Sequence, residues 1–380
     1  MPHSKQRYLF IDLLRFLAVV FMIQGHTFDA LLDYGLRSNT LFFAHDFFHG
    51  FIAPMFLFAS GTAFGISTFK KWEEHITPTH HFWKRIGKFI GLLLIGYALH
   101  LPFFSLQKIV AEATPGEIAV WLQVDALHCI AATMLVMQLL VMLLKVERKF
   151  VLVVASAAVV VIFVSPIVWS VDLTTSLPLW LVSYLNMGNN SWFPLFPWSG
   201  YILCGVIFSW LFINAKEHHH AMKLMQNAVA AGVGVFTFSL IVVNLPFNIY
   251  PLHDVWKVNP LIIFARLGFV LVVTSSVFFA EHSMKIKPQI PQIMGRESLF
   301  IYVLHLIILY GSVVNKGMQQ IILPTLSVLQ STVVFLIVLI AITGFTYGWY
   351  QFKKKYKRSA TGMKFAVAGI FIILFLVRPY

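Results

Sequence analysis

Charged side chains are scarce in this sequence of 380 residues, since only 11% of its residues are Asp, Glu, Lys or Arg. Soluble globular domains carry about 25% charged residues, whereas 59% of this chain is hydrophobic. The shortage of charge therefore excludes a soluble globular protein. Although the length would suit two soluble domains, the composition predicts an all-α, polytopic membrane helix bundle that forms a single domain over residues 1–380.

Cysteine and acidic residues are also few. The two cysteines, Cys129 and Cys204, both lie in hydrophobic stretches, so no disulfide framework is indicated. Lysine and arginine outnumber aspartate and glutamate by 28 to 15. These cations lie between the hydrophobic stretches instead of in one segment, which is typical of residues that orient membrane helices and argues against a nucleic-acid partner.

Eleven hydrophobic stretches are long enough to be membrane spans. No small-residue cleavage site follows the first, so we expect a retained helix and not a signal peptide. With the N-terminus in the cytoplasm, 21 of the 28 cations fall in inner segments and five in outer segments. This is the bias expected of a multi-pass protein of the cell (inner) membrane. The predicted spans are residues 8–31, 48–69, 86–105, 126–145, 150–169, 193–214, 228–247, 260–281, 297–315, 327–351 and 363–378.

The first span carries polar residues that a simple anchor would not need. Arg15 and His26 are eleven residues apart, so they share one helix face and are separated by about 16 Å along the axis. Asp12 and Asp29 lie three residues outside them, close to the same stripe. Because ionisable groups inside a membrane are costly, this stripe indicates a functional site. A structural ion pair between Arg15 and Asp12 is the alternative.

Further histidines and carboxylates fall on the predicted outer side. His45 and His49 precede the second span, and Asp125 and His128 open the fourth. An imidazole exchanges protons near neutral pH and a carboxylate can orient it, as transfer of an acyl group to a hydroxyl or amine requires. We therefore predict a catalytic group that consists of His26, His45, His49, Asp125 and His128.

Arginines buried in membrane spans suit the binding of phosphate or carboxylate. Arg15 in the first span and Arg266 in the eighth are therefore predicted to bind a nucleotide-like donor that enters from the cytoplasm. His305 in the ninth span is placed with this donor-binding group, with a buried structural histidine as the alternative. The run of three histidines that begins at His218 lies in a loop and is interpreted as a solvated face, so no metal site is predicted.

Several short segments resemble one known family. The spacing of Arg15 and His26 resembles the motif of the type 3 membrane acyltransferases. The chain as a whole more closely resembles a related group, the heparan-alpha-glucosaminide N-acetyltransferase catalytic family. The resemblance covers residues 8–310 and is carried by IDLLR (11–15), HG (49–50), PMFLFASG (54–61), LQVDALHCI (122–130), FPLFPWSGY (193–201) and GRESLFIYVLH (295–305).

This resemblance implies an activity. The family implies acetyl-CoA as a co-substrate on the cytoplasmic side, a saccharide acceptor on the far side and no tightly bound cofactor. It also implies a catalytic histidine between the first two spans, which His45 matches best and His49 next. In the type 3 relatives the catalytic histidine corresponds to His26. Gly50 stands where the family has an acidic residue, and the choice between His26 and His45 stays open.

Two other classes of function compete with an acyltransferase. A transporter of a small anionic or sugar solute would use the polar stripe as a permeation route. A membrane scaffold would need none of the histidines. For the acyltransferase, the expected partners also include membrane lipid and a second copy of the chain in a homodimer.

Overall fold

A computed structural model describes residues 7–246, 249–285 and 288–379, and it is almost entirely helical. A two-stranded antiparallel hairpin, β1 (Gly311–Ser312) and β2 (Asn315–Lys316), is the exception. The helices are α1 (Leu9–Leu31), α2 (Thr40–His49), α3 (Ile52–Phe69), α4 (Trp72–His75), α5 (His80–Leu99), α6 (Leu106–Glu112), α7 (Pro115–Trp121), α8 (Ala126–Leu144), α9 (Glu147–Ser170), α10 (Leu179–Leu185), α11 (Leu195–Glu217), α12 (Ala221–Val243), α13 (Val255–Val258), α14 (Pro260–Ser283), α15 (Gln289–Arg296), α16 (Ser298–Leu309), α17 (Met318–Ile322), α18 (Val328–Lys355) and α19 (Lys357–Val377).

The prediction of an all-α polytopic membrane protein is confirmed. Within the described ranges, nine helical segments are long and apolar enough to cross a membrane, and ten if α15 and α16 form one span with a bend of 78°. The third predicted span, residues 86–105, corresponds to α5. This helix is outside that set, and its N-terminal half carries Lys84, Arg85 and Lys88. Two cations used in the topology prediction, Lys5 and Lys287, lie outside the described residues.

Side-chain caps fix where several helices begin. Asp125 caps α8, and Ser327 caps α18 in a capping box with Gln330. Asn259 accepts a hydrogen bond at the start of α14, whose first residue is Pro260. These residue types satisfy the free N–H groups of a first helical turn, so the short polar segments between hydrophobic runs set the helix boundaries.

The chain divides into two compact units, of which the first comprises Met1–Ile52, Leu99–Trp121 and Lys285–Tyr380. In this unit α1 packs against α15, α16 and α18. The backbones of α1 and α15 nearly touch, because a Cβ atom at Gly295 would lie 1.9 Å from the carbonyl oxygen of Asp12. At the other end of α1, Leu326 donates its N–H to the carbonyl of Leu31 over 2.9 Å. The first span is thus held at both ends.

The second unit comprises Ala53–Ala98 and Leu122–Met284. Its helices α12 and α14 cross at Gly232 and Gly268, where an added Cβ would lie within 2.7 Å of the facing carbonyl oxygen. Gly61 and Gly205 allow a similar approach of α3 and α11. Small residues at such crossings bring membrane helices into close van der Waals contact, which replaces the hydrophobic driving force that operates in water.

Candidate active site: a row of four histidines

Four histidines of the first unit lie in one row, which we call the histidine row: His45, His49, His26 and His305. The ring centroids of His45 and His49 are 6.0 Å apart, those of His49 and His26 are 6.3 Å apart, and those of His26 and His305 are 5.2 Å apart. Three helices supply them, since α1 carries His26, α2 carries His45 and His49, and α16 carries His305. The structure thus brings together three of the predicted catalytic residues and one residue that we had placed with the donor-binding group.

Local sequence positions α2 against α1. Asn39 caps α2 by accepting a hydrogen bond from the backbone N–H of Phe42 at 2.8 Å. His45 and His49 are four residues apart on this helix and therefore share one face. Gly25 allows the approach, because a Cβ atom there would lie 1.6 Å from Nε2 of His49. Any side chain at position 25 would therefore displace the histidine.

His26 is oriented through Tyr310 by a carboxylate. The Tyr310 hydroxyl donates to Oδ2 of Asp29 over 2.8 Å and lies 3.0 Å from Nδ1 of His26. A carboxylate can only accept, so the hydroxyl proton of Tyr310 is directed at Asp29. Since that proton goes to Asp29, Nδ1 of His26 must donate to the tyrosine oxygen. Nε2 of His26 then carries the lone pair that a general base needs.

Each of the other three histidines of the row has a buried ring nitrogen that makes no hydrogen bond within the described part of the chain. His45 is bonded through Nε2 to the Gln24 side chain, with contacts of 2.8 and 3.1 Å. His305 donates Nδ1–H to the carbonyl of Ile301 at 3.0 Å. Within the described part of the chain, Nδ1 of His45, Nε2 of His49 and Nε2 of His305 have no hydrogen-bond partner. Buried polar atoms are normally paired, so these positions are suited to a ligand or water.

The opposite end of α1 holds an ion-pair network without Arg15. Asp12 accepts two hydrogen bonds from Arg7, at 2.7 and 2.6 Å, and one from Arg296 at 3.4 Å. Among the described residues no carboxylate pairs with Arg15, and its Nε atom is buried without a hydrogen-bond partner. The alternative of a structural ion pair between Arg15 and Asp12 is therefore not what the structure shows. Arg15 remains a cation available to an external anion.

Asp125 and His128 belong to the second unit and form a direct buried pair. Oδ1 of Asp125 lies 2.7 Å from Nδ1 of His128 and accepts the backbone N–H of the same residue at 3.1 Å. The ring of Tyr97 packs against the imidazole with centroids 4.3 Å apart. A Cβ atom at Gly96 would lie 2.6 Å from the imidazole. This pair fills a tight space and caps α8.

Arg266 is buried in the second unit between two indole rings. Its guanidinium carbon lies 4.7 Å from the ring centroid of Trp256 and 5.9 Å from that of Trp198. Nε and Nη1 have no hydrogen-bond partner among the residues that the structure describes. Trp198 is near the start of α11, on the predicted outer side. The role of Arg266 as a ligand of the donor stays a prediction, and the contacts described here are with Trp256 and Trp198.

Sequence reasoning did not find Tyr310. The residue follows the last turn of α16, 284 positions after His26, and no spacing rule connects the two. For metals, the described segments contain no group of three or more His, Cys, Asp or Glu side chains arranged to hold an ion.

A polytopic helical protein with a carboxylate-oriented histidine at one end of its first span has the features of a membrane-bound group-transfer enzyme. A family model described as "Heparan-alpha-glucosaminide N-acetyltransferase, catalytic" matches residues 7–244. Because the match covers more than half of the chain, the protein belongs to this family and is an acetyltransferase by class. No curated protein and no solved structure matches the chain.

Proposed function

We propose that the protein transfers an acetyl group from cytoplasmic acetyl-CoA to an amine or hydroxyl of an extracytoplasmic saccharide, and that the reaction takes place at the histidine row. Membership of the family supports the reaction class. The observation that carries the proposal is the chain of hydrogen bonds from His26 through Tyr310 to Asp29. It leaves one imidazole nitrogen as an acceptor beside three further rings, which is the arrangement of a general base and its orienting group.

In this proposal Nε2 of His26 removes a proton from the acceptor N–H or O–H. The acceptor atom forms a bond to the thioester carbonyl carbon, and the carbon–sulfur bond breaks to release the thiol, which takes up the proton. His45 is the alternative base, and a covalent acetyl-histidine is the alternative route. In each route the site must exclude water, since hydrolysis of the donor is the competing reaction.

Arg15 is proposed to bind the phosphates of the donor. It lies on the same helix as His26, about 16 Å away along the axis, and it has a buried Nε atom without a partner in the described residues. With the N-terminus in the cytoplasm, an extended donor would run along α1 from Arg15 to His26. We assign Asp125 and His128 to fixing the start of α8, and Arg266 to a structural contact with Trp198 and Trp256.

One observation favours transport as the second candidate. The helix pair α15 and α16 is bent by 78°, and broken helices form solute sites in many transporters. Uptake of a labelled amino sugar into proteoliposomes without acetyl transfer would favour this candidate.

The test is acetyl transfer by the purified protein in nanodiscs, with acetyl-labelled coenzyme A and a panel of amino sugars and glycans. We expect wild type and His218→Ala, a control at an exposed loop position, to label an acceptor. His26→Ala should abolish transfer, and its thermal unfolding should be unchanged. If His45→Ala abolishes transfer and His26→Ala does not, His45 is the base. A wild type that neither binds the donor nor transfers label would overturn the proposal.

A further inference from the structure

An open groove follows α18 in the first unit, and its lining includes Phe300 of α16 but none of the four histidines of the row. Its volume is about 750 Å³, and it is lined almost entirely by apolar atoms. Its floor is made of small residues, Ala341, Gly344 and Gly348, and its walls include Phe300, Trp349 and Met363. A Cβ atom at Gly344 or Gly348 would meet no heavy atom within 4 Å. These glycines are therefore not explained by helix contacts in this structure.

The length of the groove corresponds to one leaflet of a bilayer. Along α18 its lining runs from Ile340 to Phe352, which is about 18 Å at 1.5 Å per residue. Half of a hydrocarbon core of about 30 Å is close to this value. The groove ends where α18 reaches three successive lysines, Lys353 to Lys355. It thus extends from near the middle of the membrane to one surface.

Positive charge is concentrated where the groove reaches that surface. The Nζ atoms of Lys353 and Lys364 lie 5.8 and 5.7 Å from the ring centroid of Trp349, which lines the groove. Lys353 also contacts the carboxylate of Glu297, whereas no carboxylate among the described residues pairs with Lys364. An apolar channel that ends at an unpaired cation is complementary to an acyl chain that ends at an anion.

We propose that this groove binds one anionic phospholipid of the cytoplasmic leaflet. One acyl chain lies over Gly344 and Gly348, and the phosphate is held at Lys364 with support from the neighbouring lysines. The glycines leave the space above them free for the chain, and Trp349 lines the groove with its ring 5.7 Å from the Lys364 ammonium. The site is independent of the acetyl transfer proposed above.

Native mass spectrometry of detergent-extracted protein tests this site, with phosphatidylglycerol and phosphatidylcholine added separately as probes. We expect one phosphatidylglycerol to be retained per chain and phosphatidylcholine to be lost. Gly348→Leu fills the groove and should abolish retention. Lys364→Gln should weaken it about fivefold, the factor expected for one lysine at a charged surface. Gly234→Leu is the matched control, because its Cβ also meets nothing within 4 Å and α12 lies in the other unit.

Three results would overturn the proposal. The first is equal retention of the two lipids by wild type, and the second is unchanged retention in Gly348→Leu. The third is a lipid-free homodimer that becomes monomeric in Gly348→Leu, which would make the groove a helix–helix interface. Thermal unfolding of each variant, compared with Gly234→Leu, separates loss of lipid from loss of the fold.

Discussion

The two histidine–carboxylate pairs of this protein differ in the way that the carboxylate reaches the ring. Asp125 contacts His128 directly, and both side chains are buried, with exposed fractions of 5% and 0%. Asp29 is exposed and reaches His26 only through Tyr310. The direct pair also caps a helix and fills a space next to Gly96. In this protein the direct pair is tied to the start of a helix, whereas the indirect pair lies beside the rings of His49 and His305. The comparison therefore supports the proposal that His26, and not His128, acts in the reaction.

The largest expected effect is the loss of acetyl transfer in His26→Gln. Removal of a general base lowers kcat by about 10²–10⁴-fold, while thermal unfolding should stay close to wild type because the ring is only partly buried. The measurement is steady-state transfer of labelled acetyl groups in nanodiscs. Full activity in His26→Gln would contradict the assignment of the indirect histidine–carboxylate pair to the reaction.

The direct pair should respond in the opposite sense. Asp125→Ala removes the cap of α8 and the carboxylate beside the buried Nδ1 of His128, at a cost of about 2–4 kcal/mol in the free energy of unfolding. Ser327→Ala, at the capping box of the exposed start of α18, is the control and should cost only about 1 kcal/mol. Chemical denaturation in detergent measures both. Loss of activity in a fully stable Asp125→Ala protein would contradict this assignment.

A smaller effect is expected for Tyr310→Phe, which tests the indirect connection. The ring stays in place but Nδ1 of His26 loses its acceptor, so the tautomer with a free Nε2 is no longer favoured. Transfer should fall about tenfold, the value of one hydrogen bond, with kcat affected and the KM for the donor unchanged. A Tyr310→Phe variant with a raised KM and an unchanged kcat would assign the hydroxyl to substrate binding.

The smallest effect belongs to Arg37→Gln. Nη1 of Arg37 lies 3.7 Å from Oδ1 of Asp29, whose side chain is 62% exposed. Ion pairs in such surroundings contribute about 0.2–1 kcal/mol, so we expect less than a fivefold decrease in transfer and a weaker dependence of the rate on salt. A decrease as large as that of His26→Gln would show that Asp29 acts through Arg37 and not through Tyr310.

The membrane spans and the shared faces within one helix could be predicted from the sequence. Hydropathy locates the spans, helical spacing places Arg15 and His26 on one face, and the same spacing pairs His45 with His49. Contacts between distant segments could not be predicted. His305 and Tyr310 meet α1 across more than 270 residues, and only tertiary packing decides this. The contact of Asp12 with Arg296, 284 residues away, could not be predicted either, because Arg15 is the nearer cation in the sequence.

The absence of a side chain at Gly25 has a consequence at the level of the gene. A methyl group at this position would occupy the space of the His49 ring, and every other amino acid adds at least that much. Each missense change that a single nucleotide can make in a glycine codon therefore moves the His49 ring out of the histidine row. A saturation library selected for acetyl transfer should recover mainly synonymous codons at position 25, whereas Gly344 and Gly348 should accept alanine.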